Sequence, residues 1–242
     1  MLVMNSTNQT QITLLSANQS GIDSLIEKLH GTLSKGELAR ESRIKPRAGK
    51  KLFVASRILL RHQLGIHLNR DPASIKFEMQ TLGKPGLRDP QSIEFNLSHS
   101  KQQVALAMGT DVLGVDLEYL ARKNETMKIA RRYFTKQEIS QLEAAENPRE
   151  LFFCFWTLKE AYMKALGLGL RKGLGTFGFD LTRGINLQDA ARKNEPASFF
   201  SCRLRNDYRL SLCELSAEKH RPGVFELDSH LVRRQIEPIE WL

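Results

Sequence analysis

Three short segments with strand-like patterns follow one another between residues 92 and 120, and two long helical patterns come directly after them. The strand-like segments read SIEFNLSHS, QQVALAMG and LGVDLEYL. The helical patterns are NETMKIARRYFTKQEISQLEAA and PRELFFCFWTLKEAYMKALG, and the second ends at Gly167. Strands and helices that come in separate runs predict an α+β fold.

The flanking segments extend this pattern. Before it lie a strand (QITLLSA), two helices (SGIDSLIEKLHGTLS and KKLFVASRILLRHQLG, the latter ending at Gly65) and a strand, SIKFEMQ, that enters the turn TLGKPGLRDP. After it lie three more strands, TFGFDL, ASFFSCRL and YRLSLCEL. Both parts of the chain therefore mix long helices with short antiparallel strands. We predict two α+β halves, residues 1–111 and residues 112–242.

The composition indicates a globular protein with reduced thiols. Of the 242 residues 41% are hydrophobic and 26% charged, and no apolar run is as long as a membrane span. The segment MLVMNSTNQTQ lacks the pattern of a signal peptide. Cys154, Cys202 and Cys213 have neither CxxC spacing nor an even count, which is typical of buried free cysteines. We expect a cytoplasmic protein with no membrane partner.

The formal net charge of +9 is concentrated in a basic stretch between residues 40 and 61. Its members are Arg40, Arg43, Lys45, Arg47, Lys50, Lys51, Arg57 and Arg61. Such a stretch is either a solvated surface or the binding surface for an anion, which could be a nucleic acid, a phosphorylated small molecule or an acidic protein. Few aromatic residues lie in the stretch and no zinc-finger or RNA-binding signature is found, so a nucleic-acid partner is not expected.

Asp116 and Glu118, in GVDLEY, are two apart and would point to the same face of a strand. Two adjacent like charges need water or a cation between them, so the pair is either a solvated face or part of a Mg²⁺ site. Glu160, in an otherwise apolar helix, is a candidate third carboxylate. Lys164, one turn further on, would then face a phosphate held by the metal, an arrangement suited to phosphoryl or diphosphate chemistry.

The remaining polar residues also allow two interpretations. Lys159, Glu160 and Lys164 could form ordinary surface salt bridges on their helix. His99 lies between Ser98 and Ser100 at the end of a strand, where it would either brace the strand or contact a ligand. The turn LGKPG, at residues 82–86, presents a lysine but lacks the spacing of a P-loop.

The pieces GKP, NLSHS, GVDLE and FWTLKEAYMKALG occur in this order, and together they resemble the motifs of the Sfp-type 4′-phosphopantetheinyl transferases. The motifs of that family read approximately GKP, (N/F)(N/I)xSHS, G(V/I)D(I/L)E and WxxKE(A/S)xxK. The segment RRYFTKQE is similar to the family's (R/K)xFxxxE pattern. The resemblance covers roughly residues 40–170.

This resemblance implies transfer of the 4′-phosphopantetheine arm of coenzyme A to a serine of an acyl or peptidyl carrier protein, with release of adenosine 3′,5′-bisphosphate. It implies that Asp116, Glu118 and Glu160 bind Mg²⁺ against the coenzyme diphosphate. Glu160 would be the base, directly or through water, while Lys164 and His99 would contact phosphates during catalysis. The residues expected to bind the coenzyme are Lys84, Pro85, Ser98, His99, Lys159 and Lys164, with Lys50 or Lys51 and Arg43 or Arg47 at its 3′-phosphate.

The family fold that the resemblance implies is a pseudo-dimer of two similar α+β halves with the coenzyme between them, and we expect a monomer. One departure is that Lys50 and Lys51 stand where many relatives have a histidine–arginine pair. Three other functions remain open: a different Mg²⁺-dependent phosphotransferase, a basic nucleic-acid-binding module, and a non-catalytic carrier-binding homologue. The first is distinguished by whether coenzyme A or a nucleotide is consumed, and the second by salt-dependent binding to nucleic acid. The intact carboxylates argue against the third.

Overall fold

The computed structural model describes residues 9–79, 84–89, 93–168, 173–205 and 207–242. Its first part contains β1 (Gln11–Ser16), α1 (Ile22–Leu29), α2 (Lys35–Arg43), α3 (Arg47–Leu68), β2 (Phe77–Met79), β3 (Pro85–Leu87), β4 (Glu94–Ser100) and β5 (Gln103–Gly109). Its second part contains β6 (Leu113–Tyr119), α4 (Thr126–Tyr133), α5 (Lys136–Ala144), α6 (Pro148–Ala165), β7 (Gly178–Asp180), β8 (Asn186–Gln188), β9 (Ser198–Leu204), β10 (Tyr208–Glu214), β11 (Gly223–Leu227), β12 (Arg233–Gln235) and β13 (Glu240–Trp241). The α+β class is confirmed.

Two sheets organise the chain. The first has the strand order β12-β11-β1-β5-β4, and the second has the order β13-β9-β10-β6. Neighbouring strands are antiparallel except for β1 and β11, which run parallel from Gln11 opposite Gly223 to Leu14 opposite Glu226. The C-terminal strands β11 and β12 thus return to the sheet formed by the N-terminal part. The division at residue 111 and the pseudo-dimer remain predictions.

The sheets are layered between two long helices because successive strand residues face opposite sides. On β5, Val104 and Leu106 pack towards α1 and α3, whereas Ala105 and Ala107 pack towards the second sheet. On β6, the apolar residues at 113, 115 and 117 join the same inter-sheet core. The outer face of the second sheet is covered by α6 and its aromatic cluster. The residues of β6 at 114, 116 and 118 consequently lie on the α6 side.

The predicted helix over residues 124–145 is wrong, because the structure divides it into α4 and α5. Phe134 and Thr135 have extended backbones between the two helices. Thr135 begins α5 through a capping box with Glu138, in which the Thr135 side chain accepts from the Glu138 N–H and the Glu138 carboxylate accepts from the Thr135 N–H. A capping box inside the apolar pattern therefore marks a helix start that periodicity alone conceals.

The ends of α3 also differ from the expectation. The helix begins at Arg47, three residues before the predicted segment KKLFVASRILLRHQLG, and it continues through Gly65 to Leu68, where Asn69 ends it with φ 50°. A Cβ atom on Gly65 would lie 3.0 Å from both the Arg70 carbonyl oxygen and a Pro72 ring carbon. Gly65 is thus a packing position for the loop after the helix. At the other long helix, the predicted end is confirmed: Gly167 has φ 70° just beyond α6.

α2 has no apolar periodicity and was not predicted. Its sequence, KGELARESR, is strongly polar, and the Ser34–Glu37 capping box defines its start. Among the helices in the described parts of the chain, none is both long and apolar enough to cross a membrane. Cys154, Cys202 and Cys213 are buried and free of disulfides, as expected.

Candidate active site

A ladder of side chains joins the edge strands of the two sheets. Asn96 Oδ1, Ser98 Oγ and Ser100 Oγ on β4 accept hydrogen bonds from the backbone N–H groups of residues 115, 117 and 119 on β6, at 3.0, 3.2 and 3.1 Å. These side chains satisfy backbone donors that an edge strand otherwise leaves to solvent. The polar alternation in NLSHS therefore faces a second strand, and it fixes β4 against β6.

The two carboxylates of β6 are bound into this ladder. The Ser98 hydroxyl donates to Asp116 Oδ1 at 2.9 Å, and the Ser100 hydroxyl donates to Glu118 Oε2 at 2.8 Å. Asp116 is 6% exposed, and its Oδ2 atom is buried without a hydrogen-bond partner within the described residues. A buried carboxylate oxygen without a donor is costly unless a cation or water meets it.

Gly114 lets α6 approach β6 closely. A Cβ atom at this position would lie 2.1 Å from the Ala161 carbonyl oxygen and 2.4 Å from the Ala165 backbone nitrogen. Both are atoms of the helix backbone, which cannot move aside as a side chain can. The glycine of GVDLE thus sets the distance between β6 and the helix that carries Glu160 and Lys164.

We expect Gly114→Ala to destabilise the protein by about 1–3 kcal/mol or more, the usual cost of overpacking, because the added methyl meets backbone. The shift of α6 should also reduce activity at permissive temperature. Thermal melting together with a circular dichroism spectrum measures the first effect. Gly36→Ala is the matched control, since a Cβ at Gly36 meets nothing within 4 Å. Equal melting temperatures for the two variants would contradict this role of Gly114.

Lys164 is held against the ladder from α6. Its Nζ donates to Asp116 Oδ1 at 2.7 Å, to the Val115 carbonyl at 2.9 Å and to Ser98 Oγ at 2.9 Å. The side chain is 26% exposed, so the ammonium group is partly open to solvent. The helix that carries Glu160 and Lys164 therefore contacts the strand that carries Asp116 and Glu118, as predicted.

The site brings three carboxylates close together in a partly buried position. The pKa of Glu160 is raised to about 7, mainly by burial and further by the charges of Asp116 and Glu118, against the opposing effect of Lys164. Burial also raises the pKa of Glu118, and the Asp116 charge adds to this while the Ser100 hydrogen bond opposes it. The raised pKa values of Glu160 and Glu118 beside the Asp116 carboxylate define an environment that a cation would stabilise.

The donor set therefore fits a hard divalent cation. Carboxylate oxygens are the ligands that Mg²⁺ prefers, and the unpartnered Asp116 Oδ2 offers one of them. Within the described residues, however, no three His, Cys, Asp or Glu side chains already converge as a metal cluster. The Mg²⁺ assignment to Asp116, Glu118 and Glu160 remains a prediction based on donor chemistry.

His99 lies on the opposite face of β4 from Ser98 and Ser100. It is exposed and lines a cavity of about 290 Å³ together with Lys101, Glu118 and Arg122. Partial enclosure lowers the pKa of His99, and the charges of Lys164 and then Arg57 lower it further. Arg57, on α3, is half-buried and has no ion pair to a carboxylate among the described residues. The basic stretch thus reaches His99 through Arg57, which was not among the predicted contacts.

Lys159 does not lie at this site, so its predicted contact with the coenzyme is wrong. Its side chain is fully buried and pairs with the equally buried Glu138 at 2.9 Å. Its Nζ also donates to the carbonyls of Leu174 and Phe177, at 2.7 and 2.6 Å. Adjacent residues of a helix point about 100° apart, so Lys159 faces the core when Glu160 faces β6.

Lys84 contacts the beginning of β6 instead of projecting into solvent. Its side chain is 8% exposed; Nζ donates to the Leu113 carbonyl at 3.0 Å and approaches Glu94 Oε2 at 3.4 Å. Pro85 opens β3 and is half-buried. The rest of the predicted turn before Lys84, residues 82 and 83, lies outside the described residues. The role of Lys84 and Pro85 at the coenzyme therefore remains a prediction.

The predicted 3′-phosphate contacts lie around the start of α3. Arg43 and Arg47 are exposed, Lys50 is half-buried, and Lys51 pairs with Asp23 at 2.8 Å. Because α3 begins at Arg47, Lys50 closes the first turn, with its N–H donating to the Pro46 carbonyl, and Lys51 lies just beyond that turn. Arg61, at the far end of the stretch, is buried against Glu37 and belongs to the core.

Comparison with known proteins relates the sequence of this chain to 4′-phosphopantetheinyl transferases. Residues 112–213 match the model of the 4′-phosphopantetheinyl transferase superfamily. The chain is 38% identical over 156 residues to the 4′-phosphopantetheinyl transferase HetI of Nostoc sp., an alignment that covers 62% of this chain and 66% of the relative. It is 32% identical over 149 residues to a 4′-phosphopantetheinyl transferase of Bacillus subtilis, covering 59% of this chain and 64% of the relative.

A further similar protein is the 4′-phosphopantetheinyl transferase Sfp of Bacillus subtilis, which is 29% identical over 162 residues. That alignment covers 64% of this chain and 70% of Sfp. The chain thus spans slightly less than two thirds of HetI and of the first Bacillus relative. The matched family region contains β6 and α6, the two elements that carry Asp116, Glu118, Glu160 and Lys164.

Proposed function

We propose, from the match of residues 112–213 to the model of the 4′-phosphopantetheinyl transferase superfamily, that the protein transfers the 4′-phosphopantetheine arm of coenzyme A to a serine of an acyl or peptidyl carrier protein. The observation that carries the proposal is the meeting of β6 and α6. It places Asp116, Glu118 and Glu160 within electrostatic reach of one another and of Lys164. In such a site a cationic side chain can bind a diphosphate while a carboxylate accepts a proton.

In the reaction, the serine oxygen of the carrier forms a bond to the phosphorus that bears the pantetheine. The bond from that phosphorus to the bridging oxygen of the diphosphate breaks, and the electron pair leaves with adenosine 3′,5′-bisphosphate. Glu160 accepts the serine proton, directly or through water: burial, together with the charges of Asp116 and Glu118, raises its pKa to about 7 in the metal-free protein and makes it more basic than an exposed carboxylate. Removal of this proton during attack makes the hydroxyl an effective nucleophile.

Lys164 and His99 stabilise charge on the phosphates. The Lys164 ammonium is partly exposed beside Asp116. A diphosphate oxygen can replace one of the three acceptors to which Lys164 now donates. Asp116, Glu118 and Glu160 would hold Mg²⁺, which supplies charge neutralisation for the diphosphate when bound. The polar face of α6 is therefore one functional surface, while its apolar faces fix that surface against the core.

The partners we infer are coenzyme A and an acidic carrier protein, which the exposed cations of residues 40–50 would attract. We infer a monomer that acts without nucleic acid or a membrane. The three buried free cysteines support a reducing compartment, and we assign the protein to the cytoplasm.

The proposal is tested by incubating the protein with coenzyme A, Mg²⁺ and candidate fatty-acid, polyketide and peptide-synthase carriers, followed by mass spectrometry of each carrier. We expect one carrier class to gain the mass of one phosphopantetheinyl group. A carrier with its acceptor serine replaced by alanine is the control. No gain on any carrier, or consumption of a nucleotide in place of coenzyme A, would overturn the proposal.

A second measurement addresses the 3′-phosphate. If Lys50 and Lys51 bind it, dephospho-coenzyme A should be poorer than coenzyme A by about tenfold or more in kcat/KM, the effect of a charge-assisted hydrogen bond. The Lys51–Asp23 pair does not prevent this, because an exposed partner contributes little. The discrimination should shrink in a Lys50→Ala, Lys51→Ala double variant.

The matched control is Lys35→Ala with Lys45→Ala, which removes the same charge from exposed positions. It should keep the wild-type ratio between the two coenzymes. Unchanged discrimination in the Lys50, Lys51 variant would show that the 3′-phosphate lies elsewhere, and Arg57 beside His99 would be the next candidate.

A further inference from the structure

Each carboxylate of β6 receives its hydrogen bond from a serine eighteen residues earlier in the chain. Ser98 donates to Asp116, and Ser100 donates to Glu118. We propose that Ser98 and Ser100 are positioning residues, which orient these two carboxylates for the cation and so prepare the site before the coenzyme arrives. This inference rests on the proposed function, because it assigns the serines to the same site.

The direction of each hydrogen bond follows from the valence of a hydroxyl, which has one hydrogen and two lone pairs. Ser100 Oγ accepts from the Tyr119 N–H at 3.1 Å, and a backbone N–H can only donate. The hydroxyl hydrogen is therefore left for Glu118 Oε2, which can only accept when ionised. The hydrogen bond that joins the two strands therefore determines that the serine hydroxyl donates to Glu118.

Ser98 is constrained even more tightly. Its oxygen accepts from the Leu117 N–H and from Lys164 Nζ, so both lone pairs are used, and its hydrogen goes to Asp116 Oδ1. This leaves the Oδ2 atom of Asp116 as the oxygen without a partner. The serine therefore selects which oxygen of the carboxylate is free for a cation.

Glu118 shows why such orientation matters. Its other oxygen, Oε1, lies 3.6 Å from the guanidinium of the exposed Arg122, a contact that holds the side chain weakly. The contact with the buried Ser100 is therefore the main constraint on this carboxylate. Groups that orient metal ligands typically change metal affinity by about 10–100-fold when they are removed.

Asn96 is a natural control within the same ladder. It accepts from the Val115 N–H at 3.0 Å and is 8% exposed, the same as Ser100. Among the residues that the structure describes, it hydrogen-bonds no carboxylate, since the β6 residue preceding Val115 is Gly114. Loss of Asn96 removes a strand contact alone, whereas loss of Ser100 removes a strand contact and the donor to Glu118.

The experiment compares Ser100→Ala, Ser100→Thr and Asn96→Ala by thermal melting and by Mn²⁺ binding, with Mn²⁺ alone followed by electron paramagnetic resonance. We expect both alanine variants to melt at lower temperature. The Mn²⁺ dissociation constant should rise by about 10–100-fold in Ser100→Ala, stay within about twofold of wild type in Asn96→Ala, and recover in Ser100→Thr, which keeps the hydroxyl. A purely structural serine would give the same Mn²⁺ affinity in all four proteins.

An unchanged Mn²⁺ affinity in Ser100→Ala, or an equal loss in Ser100→Ala and Asn96→Ala, would overturn the inference. So would wild-type protein that binds no Mn²⁺ at millimolar concentration. Carrier modification is scored separately on the same preparations. If Mn²⁺ binding depends on Ser100 but the wild type modifies no carrier, the proposed function is overturned and the positioning role stands. If the wild type modifies a carrier but Mn²⁺ binding does not depend on Ser100, the positioning role is overturned and the proposed function stands.

Discussion

Replacing Glu160 by glutamine is expected to lower the rate of carrier modification by about 10²–10⁴-fold, the range that a general base contributes. The substitution keeps the size of the side chain and its hydrogen-bonding capacity but removes the site that accepts the serine proton. Single-turnover mass spectrometry with saturating coenzyme A and carrier measures the effect. Glu143→Gln, an exposed carboxylate on α5, is the matched control and should retain wild-type activity.

The same substitution is expected to increase stability although it lowers activity. The pKa of Glu160 is raised to about 7 in the folded protein against an ordinary value of 4.5, so the folded state holds its proton more tightly than the unfolded state. Stability from this group is present below pH 4.5 and is lost as the pH rises through about 7. At pH 8 without divalent metal, Glu160→Gln should therefore melt above wild type, and the difference should vanish towards pH 4.5.

An inactive variant that is more stable than wild type cannot be explained by misfolding. If Glu160→Gln instead retained activity within a few-fold of wild type, Glu160 would not be the base. The proton acceptor would then have to be another group of the site, and Glu118, whose pKa burial also raises, would be the next candidate.

The second large effect is on folding. Lys159→Ala should destabilise the protein by about 3–5 kcal/mol, because it leaves the Glu138 carboxylate buried without its counter-charge. The carbonyls of Leu174 and Phe177 lose their donor as well. Chemical denaturation followed by intrinsic fluorescence measures the free energy of unfolding. Lys136→Ala, on the surface of α5, is the control and should change it little.

A double variant, Lys159→Met with Glu138→Gln, should recover part of the loss, since neither buried charge remains. Glu138 also accepts from the Phe179 N–H and caps α5 with Thr135, so a glutamine there retains an acceptor. A loss below about 1 kcal/mol in Lys159→Ala, combined with a raised KM for coenzyme A, would contradict the structural role and restore the predicted contact with the coenzyme.

The contrast between Lys159 and Lys164 illustrates what the sequence can predict. The helical pattern correctly placed α6, and the four-residue spacing correctly placed Glu160 and Lys164 on one side of it. Periodicity does not say which side meets β6 and which meets the core, because both contain apolar residues. Gly114, two residues before Asp116 and on the same face of β6, marks where on the strand a helix can approach closely, but not which side of the helix does so.

The ladder was missed for a related reason. The alternation in NLSHS predicts a strand with one polar face, and water is the usual neighbour of such a face. Here the neighbour is the edge of β6, whose free N–H groups take the place of water. The break between α4 and α5 had a readable signal, a threonine followed by a glutamate three residues later, which the continuous apolar pattern outweighed.

The return of β11 to the first sheet determines when that sheet can be completed. Gln11 pairs with Gly223, so during synthesis β1 leaves the ribosome more than 200 residues before its parallel neighbour exists. Until then one edge of β1 offers unpaired backbone groups to other chains, which favours aggregation of nascent protein. Pairing across so long a stretch of chain also slows folding, because loop closure precedes the stabilising contacts. The sheet is thus completed only by this late strand, and expression at low temperature or with chaperones should raise the yield of folded protein.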